Sequence, residues 1–230
     1  MRPQVCPTTD RPRARMIDFA GQQFLLHPDR ALFWSARRTL VIADLHFGKA
    51  ALFRSSGVPV PSGTTSHDLS RLSRLIAQTT PRRLLVLGDL LHGRAEETFA
   101  AVQAWRNGFP DLAITLVRGN HDRGAGDPPA GWRIEVLDQP LVEADIAFRH
   151  EPPDSGDTGL PCVCGHLHPT VRLEDFDGGA ASAACFVLDT RAQALILPAF
   201  GRFTGGCRMP AAPGRRFFVP TGRRVVETSR

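Results

Sequence analysis

Three apolar runs, at residues 39–43, 83–87 and 113–117, each stop abruptly at a polar cluster. Apolarity that is continuous rather than alternating marks strands covered on both faces, as in a parallel sheet with helices packed on it. The clusters that follow are Asp44-Leu-His46, Gly88-Asp89 and Gly119-Asn120-His121-Asp122. Two more, a lone His150 and Gly165-His166-Leu-His168, follow later apolar segments. In open α/β sheets the loops leaving the carboxyl ends of the strands converge, so groups far apart in sequence arrive at one edge.

The intervening segments fit that layout. Residues 64–76 predict a helix that opens on hydroxyl residues suited to N-capping, with Leu69, Leu72, Leu75 and Ile76 on one stripe. Residues 96–105 predict a second helix. Upstream, residues 17–19, 23–26 and 31–34 read as short strands, with His27-Pro-Asp29 as the turn between the last two. After Gly124 strand follows strand: 132–137, 141–150, 162–164, 170–173, 184–188, 194–197 and a hairpin around 220–222. Residues 124–131 and 152–161, dense in Pro and Gly, are expected loops. Residues 1–15, rich in Arg and Pro, are expected to be a disordered leader, and residues 16–230 a single domain.

Composition narrows the class. An apolar fraction of 42% is ordinary for a globular chain, and no stretch approaches the roughly 20 apolar residues of a membrane span. The N-terminus has no apolar signal core, which makes the cytoplasm the expected compartment. Five scattered cysteines argue against a disulfide framework; Cys162 and Cys164 are expected on one face of a strand, as core residues rather than zinc ligands. The formal charge of +5 suits a polyanionic partner and equally a solvated basic surface.

The clusters supply three carboxylates, one amide oxygen and five imidazoles. That mixture can hold two divalent metals side by side, and paired metals suit attack on a phosphate ester. Taken singly, Asp-x-His or Gly-Asp carries little information; the Gly-Asn-His-Asp tetrad and Gly-His-x-His carry more, and the ordered set most. His27 and His67, on a turn and near a helix start, are expected at the surface. His92, three residues after Asp89, fits equally a cleft-lining group and a cap of the following loop.

In this order and spacing the set resembles the calcineurin-like metallophosphoesterase superfamily. The resemblance implies an α/β fold, a four-layer αββα sandwich with a dinuclear metal site at the carboxyl ends of the strands. It implies that Asp44, His46 and His168 bind one metal, that Asn120, His150 and His166 bind the other, and that Asp89 bridges them. It gives His121 the role of protonating the leaving oxygen, with Asp122 holding its other ring nitrogen, and a hydroxide between the metals as the attacking group. Ala43-Asp-Leu-His-Phe-Gly-Lys49, Leu87-Gly-Asp-Leu-Leu-His92, His150-Glu-Pro152, Gly165-His-Leu-His-Pro169 and Leu197-Pro-Ala-Phe-Gly-Arg-Phe-Thr-Gly-Gly206 resemble more closely the bacterial ligase-associated DNA damage response endonucleases, the PdeM family.

That branch implies a manganese-dependent phosphodiesterase and endonuclease on single-stranded or looped DNA, functionally linked to an ATP-dependent DNA ligase, a helicase and a nuclease. Manganese is the expected metal, with iron or zinc compatible with the imidazole share. Arg54, Arg118 and Arg123 are expected to draw DNA toward the cleft. Two alternatives stay open: a phosphomonoesterase on phosphoproteins or nucleotides, and a non-catalytic interaction module, although such modules lose ligand histidines that this chain retains.

Overall fold

A computed structural model of the protein describes residues 13–153, 159–174 and 179–228. Its first half runs β1 (Arg15–Phe19), β2 (Gln22–His27), β3 (Ala31–Trp34), β4 (Thr39–Ile42), α1 (Lys49–Ser55), α2 (Thr64–Thr79), β5 (Arg83–Leu87), α3 (Glu96–Asn107), β6 (Ala113–Val117), α4 (Asn120–Ala125) and β7 (Ile134–Leu137). These strands form one sheet in sequence order, antiparallel from β1 to β4 and parallel from β4 to β7. The continuous apolar runs are its buried centre. Along β4, Leu40 and Ile42 face the helices while Val41 and Ala43 face inward, and β5 repeats this with Leu84 and Val86 against Leu85 and Leu87.

The second half runs β8 (Leu141–Glu143), β9 (Ile146–Phe148), β10 (Cys162–Cys164), β11 (Pro169–Glu174), β12 (Ala180–Ala184), β13 (Phe186–Asp189), β14 (Ala194–Ile196), β15 (Cys207–Arg208), β16 (Arg215–Pro220) and β17 (Val225–Thr228). A second sheet has the order β17-β16-β13-β14-β10-β9-β8, and β12-β11-β15 make a small third sheet. The two large sheets enclose the main core, in which Trp34 lies 5.5 Å from both Phe24 and Phe148 between ring centroids.

The α/β sandwich is the fold class anticipated, with a difference in its outermost layer. Among the described residues helices cover the first sheet only. The outer face of the second sheet, with Cys162, Cys164, Val187 and Phe217, is covered by Val171, Leu173 and Ala183 of the third sheet. Among the described residues every α-helix lies between Lys49 and Ala125. The later sequence has no apolar stripe of helical period, so strands supply the cover. Cys162 and Cys164 share that covered face.

Other expectations need correction. Residues 141–150 are a hairpin, not one strand: Glu143 pairs with Ile146, and the two loop residues Ala144 and Asp145 have φ of 49° and 57°. Left-handed backbone at both positions is the tight turn that matches strand twist. Trp132 belongs to a 3-10 turn (Ala130–Trp132) and is buried against Phe99 rather than starting a strand. Helix α2 is N-capped by Gly63, without a side-chain cap from its hydroxyls. His27 is buried at the end of β2, and its Nδ1 is satisfied by accepting the Asp29 N–H (3.1 Å) across the turn. Of the anticipated leader, residues 1–12 lie outside the described residues, while the Arg13 N–H donates to Arg223 O (2.8 Å) and β1 already begins at Arg15.

The two large sheets are also tied by a charged clamp. Arg83 of β5 donates to both oxygens of Glu143 on β8, at 2.6 and 2.8 Å, and these bonds hold the Glu143 carboxyl below its ordinary range against the opposing effect of burial. Glu143→Gln should therefore lower the unfolding free energy by about 1 kcal/mol at neutral pH. A depressed carboxyl stabilises above its unfolded pKa of about 4.3 and loses that contribution as pH falls through its folded value. Urea unfolding of the two proteins should thus diverge at pH 7 and converge at about pH 3; equal stability at pH 7 would show the clamp contributes nothing.

Candidate metal centre

The site is built on backbone that ordinary residues avoid. Asp44, His46, Asp89, His166 and His168 all have left-handed φ, between 45° and 68°. Each such residue costs of order 1 kcal/mol, and their gathering at one spot marks a functional constraint. The strained loops are held by cross-links. Asp44 N–H donates to Gly88 O (3.2 Å), His46 N–H to Asp89 O (2.8 Å) and His92 N–H to Phe47 O (2.9 Å), zipping the loop after β4 to the loop after β5. The carboxylates join in: Asp89 Oδ1 accepts the His121 N–H (2.9 Å) and Asp44 Oδ2 the His166 N–H (3.0 Å).

Two motif glycines are required by space. A Cβ on Gly88, whose φ is 74°, would fall on the His150 imidazole, and one on Gly119 would fall on the Asp89 carboxylate. The glycine of Gly-Asp and that of Gly-Asn-His-Asp thus let ligand-type side chains close in from neighbouring strands.

Two donor sets flank Asp89, and His46, His92 and His121 form a third cluster beside them. In the first, His46 Nε2 stands 3.1 Å from His168 Nε2, and His168 Nε2 3.4 Å from Asp44 Oδ1. In the second, His150 Nε2, His166 Nδ1 and Asn120 Oδ1 lie 3.0 to 3.1 Å from one another. Asp89 faces both sets, with Oδ2 3.7 Å from His46 Nε2 and Oδ1 3.4 Å from His150 Nε2. The sequence-derived residues Asp44, His46, Asp89, Asn120, His150, His166 and His168 are therefore in one place, although they come from the ends of five different strands.

Divalent cations fit this donor set. His150 Nδ1 lies 3.0 Å from the carbonyl oxygen of Leu87, which can only accept. With the ring proton there, a neutral His150 presents a lone pair at Nε2, toward two further donor atoms and a carboxylate. A carbonyl that orients the far nitrogen is the usual outer support of a metal-binding histidine. His46 resists protonation as an answer to the crowding: burial first, then His168, Lys49, His92 and His121, push its pKa down to about 2.

The remaining residues are settled by position. The His121 side chain is 41% exposed at the mouth of the site, its Nε2 4.0 Å from Asp89 Oδ2. His92 lines the cleft: its ring lies 4.1 Å from that of His121, its Nδ1 3.1 Å from His46 Nδ1, and burial with His121 and Lys49 lowers its pKa to about 4. Asp122 corrects an expectation. It is fully buried, and its carboxylate accepts the N–H groups of Leu91 (2.8 Å) and Gly119 (2.9 Å) rather than a ring nitrogen of His121. The cause is its place in the first turn of α4, where a side chain folds back on its own N-cap.

The arginines expected to attract DNA are also otherwise engaged. Arg54 pairs with Glu97 (2.5 Å), Arg118 with Asp127 (2.6 Å) and Asp138 (2.7 Å), and Arg123 approaches Asp138 at 3.8 Å. Sequence shows that these arginines exist but not which carboxylates the fold sets beside them.

Histidine, carboxylate and amide donors that converge at the strand ends of an α/β sandwich can hold divalent metals, and paired metals suit attack on a phosphate ester. The calcineurin-like phosphoesterase family matches residues 37–182, well over half of the chain, and the protein belongs to that family. Among solved structures it is similar to the nuclease MPE of Pseudomonas putida, with 40% identity over 94% of this chain and 100% of that one, at a TM-score of 0.81. It also aligns with AQ665 of Aquifex aeolicus, a protein of unknown function, at 19% identity over 56% of this chain and 78% of that one; a TM-score of 0.38 gives that likeness no weight. No curated protein matches. Among the described residues no helix is long and apolar enough to cross a membrane.

Proposed function

We propose that the protein is a two-metal phosphodiesterase that cuts single-stranded or looped DNA as an endonuclease in DNA repair. The observation that carries this reading is Asp89, whose two oxygens face separate donor sets. Asp44, His46 and His168 would hold one cation and Asn120, His150 and His166 the other, with Asp89 shared between them. When bound, such a pair neutralises charge on the phosphate and makes water acidic enough to supply a nucleophile near neutral pH. The likeness to a nuclease at 40% identity supports nucleic acid as substrate.

The chain's own contribution is orientation and proton delivery. His121 stands at the mouth with its backbone N–H anchored by Asp89, its ring packed against His92 yet exposed enough to protonate the departing oxygen. Asp122 acts on the fold of that turn by tying Gly119 to Leu91, and so positions His121 rather than touching it. The mixture of oxygen and nitrogen donors supports manganese as the working metal. A cytoplasmic setting and a functional link to an ATP-dependent DNA ligase, a helicase and a nuclease complete the reading, on the strength of the sequence resemblance.

The test uses circular single-stranded DNA, which has no ends, beside a relaxed duplex circle, with manganese, zinc or chelator. Manganese-dependent linearisation of the single strand supports the reading. Faster hydrolysis of aryl phosphate monoesters than of bis-aryl diesters, with no linearisation, would move the protein to the phosphomonoesterase alternative.

A further inference from the structure

Beside the metal centre, and sharing His168 with it, runs an open groove of about 240 Å³. Arg30, Arg202, Thr170 and Ser182 line it. Its electrostatics differ from those of the other arginines near the site. Arg54, Arg118 and Arg123 face carboxylates, whereas among the described residues neither Arg30 nor Arg202 has an ion pair to one.

The nearby acid is already engaged. Asp68 is buried, accepts the Arg202 backbone N–H with Oδ2 (3.1 Å), and sets Oδ1 3.3 Å from Arg71 Nη2. Arg71 in turn lies over the Phe200 ring, 4.0 Å from its centroid, and donates to Phe200 O. The Asp68–Arg71 pair therefore serves to anchor the loop that presents Arg202 and leaves the Arg202 guanidinium exposed. Arg30 is half-buried, with Nη1 3.5 Å from Ala199 O. Its pKa is lowered, first by burial, and the Arg202 charge adds to that lowering against the pull of Asp68. Two guanidiniums that repel each other beside hydroxyl groups call for an anion with several acceptor oxygens.

We propose that this groove is a subsite for the phosphate adjoining the scissile one in a polynucleotide strand, with Arg30 and Arg202 as its specificity-determining residues; this rests on the nuclease reading above. A strand threaded past His168 would place its next phosphodiester over the groove. A small diester, having a single phosphate, gains nothing from it. The subsite thus accounts for how a centre that attacks any phosphodiester comes to favour a polymer of them.

Arg202→Ala, exposed and outside the core, tests this with both substrates. KM for a single-stranded oligonucleotide should rise about tenfold with kcat within about twofold, as expected for one lost charge-assisted contact. The ratio of oligonucleotide to bis(p-nitrophenyl) phosphate efficiency should fall by the same factor, and Arg202→Lys should recover part of it. For the Arg30→Ala/Arg202→Ala double variant, the slope of log KM against log salt should flatten by about 0.7, the value for one phosphate contact on a single strand. A loss of efficiency in equal proportion on both substrates, or no loss on either, overturns the subsite. If the native protein hydrolyses the small diester but cuts no oligonucleotide, the nuclease reading itself fails and the subsite goes with it.

Discussion

Replacing Asp89 by asparagine should remove at least one of two bound divalent ions per chain and lower phosphodiester hydrolysis about 1000-fold or more. Asparagine keeps the volume and an oxygen for the His121 N–H, now accepted at 2.9 Å. It removes the charge and one of the anionic oxygens, which stand 3.7 Å from His46 and 3.4 Å from His150. Metal assistance contributes several kcal/mol to such reactions, and each 1.4 kcal/mol is tenfold in rate. Elemental analysis after desalting, beside turnover of a bis-aryl diester, reads both effects. The metal-free variant should melt no lower than the metal-free native protein, because a carboxylate that is 2% exposed is costly without its cation. Two retained metals with near-native turnover would refute the shared role of Asp89.

Removing the His121 ring should divide substrates by leaving group. Its side chain is 41% exposed, and the anchoring bond uses its backbone N–H, so His121→Ala leaves the turn and both donor sets in place. Metal content should stay at the native value. General acid catalysis is worth about 10²- to 10⁴-fold, so kcat on diesters with an alkoxide leaving group should fall by that factor. A nitrophenolate departs without help, and its release should slow less than about tenfold. Equal losses on the two substrates would mean that the ring binds phosphate without delivering a proton. Asp122→Asn would act differently, through the tie between Leu91 and Gly119, and should lower stability along with activity.

Much of the scaffold was legible because its signals are local. Continuous apolar runs marked the three central strands, and the stripe of Leu69, Leu72, Leu75 and Ile76 marked α2 as the helix over them. Elements went unseen where the signal was not local. The Ala144-Asp145 turn lacks the glycine usual in a two-residue hairpin loop and is held by the pairing of β8 with β9. Helix α1 is only seven residues long, too short for its period to show. The cover over the second sheet could not be read from β11 and β12, whose apolar residues Val171, Leu173 and Ala183 gain a partner only when the larger sheet is present.

Sequence alone determined which residue types meet at the strand ends, because a buried strand must end at the sheet edge and its polar successor must follow. It also determined that glycine precedes several of them, since a side chain there would occupy the space of the next ligand. Tertiary structure alone decided which charges remain available. Asp122 turned to backbone amides, Arg118 to Asp127 and Asp138, and Asp68 to Arg71, while Arg30 and Arg202 were left facing the groove. Ion pairing depends on distances of a few ångströms, and even between residues three or nine positions apart only the folded chain sets those distances.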